Sequence, residues 1–370
     1  MRIGIDARAY GWAGIGRYTR ELLCGLSKVT RRHQFVVAIG RVHAARARRE
    51  LPRSNFEIVP VDDVYYSWRE QTVLLGQLAR LRADVWHFTH FNIPLLMPGK
   101  YVVTIHDLTR FIFPGQTQQS LLKQVVYECI FQRAVARAAG VICVSAATEH
   151  ELRDWSLKTP LVARVIPEAV GDNFTTAVTV SERVRARMLL GRAGRFILYV
   201  GVWMSHKNLP RLLAAYVRVR ERYPDVTLVL TGRPKPGYVA VDKIARSLGL
   251  SPDDVLYLGF VPDALLPALY AEASCLALPS LYEGFGLTAL EAAAAGTPVV
   301  ASNVSSLPEI LREAYWVNPE YVPSIAAGIA GALQADQRRQ RIIAGSRAGA
   351  VAITWEEVAK QTLAMYEAAH

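Results

Sequence analysis

Cysteine is scarce in this 370-residue chain, with four residues at positions 24, 129, 143 and 275. No two have the spacing of a metal site or a redox pair. Apolar surroundings such as VICVS and ASCLALPS predict buried packing thiols in a reducing compartment. No apolar run reaches the roughly 18 residues that a membrane-spanning helix needs. Asp-x-Asp triplets are also missing. Asp62-Asp63 and Asp253-Asp254 are adjacent pairs that read as loop carboxylates, which removes a common handle for metal-bound diphosphates. The full Gly-x-Gly-x-x-Gly fingerprint is absent and no acidic residue ends a suitable second strand, so a dinucleotide cofactor loses ground. No recognition helix, RNA-binding motif or zinc spacing accompanies the basic segments, which argues against nucleic acid.

What is present supports packed cores. Half of the residues (51%) are hydrophobic, and the length suggests two domains. The opening MRIGIDARAYGWAGIGRYTREL reads as a strand and a glycine turn rather than a secretory signal, so the expected location is cytoplasmic. The net charge of +11 is uneven: residues 1–177 hold 23 Lys and Arg against 15 Asp and Glu, or +8, leaving +3 for the remainder. Arg41, Arg46, Arg48, Arg49 and Arg53 concentrate it. Such a segment is either a solvated helix face or a contact for an anionic partner, including an acidic lipid surface.

Apolar runs alternate with segments of helical period. RIGID, QFVVAIG, FEIVPV, DVWHFTH, YVVTIHD, GVICVS and ARVIPE each predict a buried parallel strand. After the polar, arginine-rich stretch ending at GRAG the pattern restarts with RFILYVG, TLVLTG, VLYLGF, ASCLALPS and TPVVAS. This is an α/β pattern in two halves, with the boundary near 175–190. The final TWEEVAKQTLAMYEAA predicts an amphipathic helix.

The densest motif is PSLYEGFGLTALEAAAAGTPVVAS at 279–302. Glu283 precedes the loop Gly284-Phe285-Gly286, a helix starts near Leu287, and Glu291 lies about one turn inside it. Bare loop amides beside a helix N-terminus suit a diphosphate. A glutamate on the loop can reach a hydroxyl of whatever the diphosphate carries. One on the helix can accept the hydroxyls of a ribose.

This pair around Gly-Phe-Gly, followed by GTPVVAS, resembles the retaining family-four glycosyltransferases of the GT-B fold, and more narrowly the bacterial mannosyltransferases among them. The resemblance implies two Rossmann-like domains facing a central cleft: an acceptor domain at 1–177, a nucleotide-sugar domain at 178–353, and a helix at 354–370 crossing back to the first. It implies catalytic roles for His106, Lys207 and Glu283. Lys207, in GVWMSHKNLPRLLAAY, would meet the donor diphosphate. Many relatives carry an arginine a few residues earlier, where this chain has Gly201, Val202 and Trp203, so Arg233 is a possible second cation. Donor contacts are expected from Gly14, Gly16, Gly259, Phe260, Val261, Gly284, Phe285, Gly286, Leu287, Thr288 and Glu291, and Asp107 is a further possibility. VIPEAVGDNF has Glu168-Ala169 where the family more often has Asn-Gly.

The same resemblance implies a sugar transferase using no cofactor and no metal, with GDP-mannose as the expected donor and a UDP-sugar as the alternative. A glycan or lipid-linked acceptor in polysaccharide or lipopolysaccharide synthesis would be its partner, and the basic first half adds, as a further possibility, peripheral contact with the anionic inner face of the plasma membrane. A sugar-nucleotide epimerase or a non-catalytic scaffold on the same fold are the rival readings.

Overall fold

The computed structural model describes all residues except 53, 63–64, 114–120, 157–161, 192–193 and 236, and except the side chains of 121–123. Arg53 and Asp63 therefore lie outside the described residues.

Seven strands form one sheet: β1 (Arg2–Asp6), β2 (Gln34–Gly40), β3 (Phe56–Val61), β4 (Val85–Phe88), β5 (Lys100–Ile105), β6 (Gly140–Cys143) and β7 (Ala163–Val165). Six form another: β8 (Arg195–Tyr199), β9 (Val226–Thr231), β10 (Val255–Gly259), β11 (Cys275–Leu278), β12 (Val299–Ser302) and β13 (Tyr315–Val317). Every strand pairing is parallel. The orders are β3-β2-β1-β4-β5-β6-β7 and β10-β9-β8-β11-β12-β13. Each therefore reverses direction once, between β1 and β4 and between β8 and β11. Ligands of open α/β sheets bind beyond the carboxyl ends of the strands at such a point.

The apolar runs become strands because helices cover both faces of a parallel sheet, so continuous Val, Ile and Leu are buried throughout. β13 was not expected from the sequence. Its three residues at a sheet edge, with Trp316 partly exposed, are too short a run to separate from a loop.

The chain divides into two compact units. The first comprises Met1–Leu108, Gln119–Glu168 and Ile353–His370, and the second Thr109–Gln118 and Ala169–Ala352. The C-terminal helix Trp355–Ala369 thus belongs to the first unit, packed on the helix Gly14–Val29. Gly25 makes that approach possible, because a Cβ there would stand 2.5 Å from the Trp355 carbonyl oxygen.

Part of the polar stretch before the second sheet is a helix, Val180–Leu190. Thr179 and Glu182 form a reciprocal capping box at its start, a Thr-x-x-Glu signal visible in the sequence. The expectation for the cysteines needs correction. Cys143 and Cys275 are buried in strands, but Cys24 is half-buried at the edge of the apolar stripe of Gly14–Val29, and Cys129 is exposed on the helix Leu121–Ala136. The arginine-rich segment is the helix Arg41–Glu50, where Arg46 meets Glu50 at 2.7 Å and Arg41 meets Asp62 at 3.7 Å. Exposed pairs like these contribute little to stability. No helix among the described residues is long and apolar enough to cross a membrane.

Candidate functional site

In the second unit, β8 and β11 are neighbours at the reversal point, so the loops leaving their carboxyl ends meet. Lys207 comes from the first loop and Glu283 from the second, 76 residues apart. The ammonium donates to both carboxylate oxygens, at 2.8 and 2.7 Å, and Ser280 Oγ donates to Oε1 at 2.6 Å. Both side chains are largely buried. One backbone and one side-chain bond fix the pair: Leu281 N–H donates to the His206 carbonyl at 2.7 Å, and Asn208 Nδ2 donates to the Pro279 carbonyl at 2.9 Å.

Beyond Glu283, Gly284, Phe285 and Gly286 are buried, and Leu287 and Thr288 are half-buried at the start of the helix Leu287–Ala294. Gly286 caps this helix with φ +96°, which an L side chain rarely adopts, and a Cβ would stand 2.6 Å from Leu307 Cδ2. No side chain caps the helix, and an uncapped first turn with its positive dipole end is the kind of place that suits an anion. Sequence reasoning missed what holds the loop. Glu283 N–H donates to Ser305 Oγ at 2.9 Å, while Ser306 Oγ donates to the carbonyls of Glu283 and Phe285 at 2.9 and 2.8 Å. The signal was the serine pair in SNVSSLPE. Glu291 is fully buried, and the Tyr270 hydroxyl donates to its Oε2 at 3.0 Å.

Where an arginine was missing, Trp203 is buried and its indole N–H donates to the Thr231 carbonyl at 2.9 Å. Its backbone clasps the next loop, with Trp203 N–H to the Arg233 carbonyl at 3.0 Å and Lys235 N–H to the Trp203 carbonyl at 3.1 Å. Exposed Arg233 and Lys235 are thereby carried on a loop locked to the one that bears Lys207. His206 beside them is pushed down to about 3 by burial and then by the charges of Lys207 and Lys235, so it stays neutral. Gly259 ends β10 with φ +64°, Phe260 is 65% exposed and Val261 is buried.

In the first unit, His106 follows β5. Its Nδ1 lies 3.1 Å from Glu168 Oε1 and its Nε2 lies 2.9 Å from the Thr89 carbonyl oxygen. Asp107 beside it is exposed. Gly16 is required by packing, since its Cβ would stand 2.7 Å from the carbonyl oxygens of Ala9 and Tyr10, whereas nothing lies within 4 Å of a Cβ at Gly14. Sequence reasoning also missed a buried ion cluster at the carboxyl end of β1. Arg8 Nη2 meets Asp6 at 2.7 Å, Nη1 meets Glu70 at 2.8 Å, and Nη2 donates to the Asn92 carbonyl at 2.9 Å. Burial alone would lower the Arg8 pKa, but Asp6, Tyr65 and Glu70 together raise it. Among the described residues, no three His, Cys, Asp or Glu side chains are grouped so as to hold a metal ion.

Comparison with known proteins identifies this arrangement. Residues 12–173 match the family described as Glycosyltransferase Family 4, and residues 181–348 match Glycosyl transferases group 1. An uncharacterized glycosyltransferase of Methanocaldococcus jannaschii is 33% identical over 80% of this chain and 78% of its own length. The chain belongs to the family-four glycosyltransferases. O-antigen chain mannosyltransferase B of Escherichia coli is 29% identical, covering 97% of both chains. The solved structure of Anabaena HepE in complex with UDP and glucose superposes with a TM-score of 0.79 over 99% of both chains, at 18% identity. The glycosyltransferase therefore has the GT-B fold.

Proposed function

We propose that this glycosyltransferase moves mannose from GDP-mannose to a glycan or lipid-linked acceptor of cell-surface polysaccharide or lipopolysaccharide, retaining the anomeric configuration. The observation that carries the reading is Lys207 paired with Glu283 beside an uncapped helix N-terminus. The mannosyl choice is supported by the O-antigen mannosyltransferase that matches along nearly the whole chain. A UDP-sugar is the second reading, favoured by the UDP and glucose bound in HepE.

In this scheme the donor diphosphate takes the amides beyond Gly286 and the ammonium of Lys207, freeing Glu283 to accept from a sugar hydroxyl. As the glycosidic bond breaks, negative charge grows on the leaving phosphate, where preorganised donors stabilise it most. The departing phosphate oxygen takes the acceptor proton on the same face of the sugar, so no side chain need act as nucleophile. Ammonium and helix end supply the positive charge, so the reaction is assigned no metal. The acceptor is assigned to the first unit, beyond the carboxyl ends of its strands.

The two glutamates separate in kinetics. Glu283 is assigned to the sugar, where contacts change as the bond breaks, and Glu291 to the ribose, where they do not. Glu283→Gln should lower kcat strongly with a smaller change in donor KM. Glu291→Gln should mainly raise donor KM and weaken binding of the free nucleoside diphosphate. Losing one charge-assisted hydrogen bond costs about 1.5–3 kcal/mol, or roughly ten- to a hundred-fold in affinity. The reverse pattern, or parental nucleotide binding by Glu291→Gln, would remove the assignment.

A further inference from the structure

His106 stands between two acceptors, the Glu168 carboxylate at 3.1 Å and the Thr89 carbonyl at 2.9 Å. A neutral imidazole has one N–H, so it would turn a lone pair toward one of them, whereas a protonated ring donates to both. Glu168 is 6% exposed, and a carboxylate that deep is kept charged at reasonable cost only by a cation. Ring and carboxyl are satisfied either as an ion pair or with the proton on Glu168 and a neutral ring accepting it, and imidazole is ordinarily the stronger base, which favours the ion pair.

The other groups facing the ring agree. Asp107, in the same loop, adds negative charge, and Tyr18 of the helix Gly14–Val29 meets the imidazole edge-on at 4.8 Å without bringing a positive charge. Behind it on β4, His87 is fully buried between the Tyr366 hydroxyl at 2.6 Å and Thr104 Oγ1 at 2.8 Å. Burial, then the neighbouring His106, pushes His87 down to about 3, so His87 stays neutral. Burial alone would lower the His106 pKa as well, yet the hydrogen bond and charge of Glu168 raise it.

We propose that Glu168 is a positioning residue that holds His106 as an imidazolium, clamped between the exits of β4 and β7 at the carboxyl end of β5. The consequence for catalysis rests on the function proposed above. An imidazolium with both N–H groups engaged cannot take the acceptor proton, so His106 acts through its fixed positive charge and shape. With the folded-state pKa raised, the charge is complete at low pH and is lost as pH rises through that value. Turnover should fall on the same alkaline limb.

The test uses the full chain with 15N-labelled histidine, its ring signals assigned by comparison with His106→Asn. At pH 7 both His106 ring nitrogens should carry the shifts of a protonated imidazole. Glu168→Gln, which keeps the shape and an acceptor, should move the titration midpoint down by about one to three pH units, the usual effect of removing an adjacent opposite charge. Glu168→Asp should restore part of it. The kcat limb measured with nucleotide sugar should move by the same amount. One bare and one protonated nitrogen at pH 7, or an unchanged midpoint in Glu168→Gln, would overturn the ion pair. A shifted midpoint with an unshifted kcat limb would overturn the positioning role. Because the spectra need no turnover, a chain that transferred no sugar would refute the proposed function and still leave the ion pair decided.

Discussion

Replacing Lys207 with methionine should lower turnover by about 10²–10³-fold, the usual cost of deleting one preorganised donor aimed at developing charge. The ammonium stands 2.7 Å from Glu283 next to the uncapped helix end, so it can pass to a diphosphate without leaving the site. The variant should also lose its preference for nucleoside diphosphate over monophosphate in calorimetric titration. Lys207→Arg should rescue poorly, since a planar guanidinium does not fit the space of a compact ammonium. If Lys207 only neutralised Glu283, the variant would be less stable yet keep its diphosphate preference, and the assignment would fall.

Arg8→Met should have the largest effect on stability. Arg8 is 1% exposed at its side chain and lies between Asp6 and Glu70, exposed by 7% and 0%. Removing the cation leaves two buried carboxylates uncompensated, and breaking a buried pair in this way costs about 3–5 kcal/mol. For a unit of this size, each kcal/mol shifts Tm by about 2–4 °C. Lowering the pH from neutral should recover part of the loss, because an orphaned buried carboxylate takes up a proton. The combination Arg8→Met, Asp6→Asn, Glu70→Gln should recover more of it at neutral pH. Denaturant titrations in which Arg8→Met matched the parent would show that the cluster is not a stability device.

Twelve of the strands and the Gly-Phe-Gly loop were legible for the same reason: both are local. Continuous Val, Ile and Leu runs mark parallel strands, and the Gly-Phe-Gly turn with its flanking glutamates lies within a dozen residues. Partners that fold together from afar were not legible. Glu168 was visible only as a departure from Asn-Gly; its meaning appears once β5 and β7 bring it to His106, 62 residues away. The Arg8 cluster joins β1 to the π-helical turn Glu70–Leu74, and nothing in RIGIDAR announces the carboxylate at position 70. Trp203 read as the loss of an arginine, whereas its indole ties together the loops that carry Lys207, Arg233 and Lys235.

Transfer of a sugar from a nucleotide, with its configuration kept and no metal involved, is measured most directly at the anomeric proton by NMR. The enzyme is incubated in excess EDTA with GDP-α-mannose, or in parallel UDP-α-glucose, and a mannose-containing oligosaccharide. The proposed function predicts release of GDP and a new α-linked mannose signal, at a rate that added manganese or magnesium does not change. A β-linked product, turnover that appears only when metal is restored, or no transfer from either donor would contradict it.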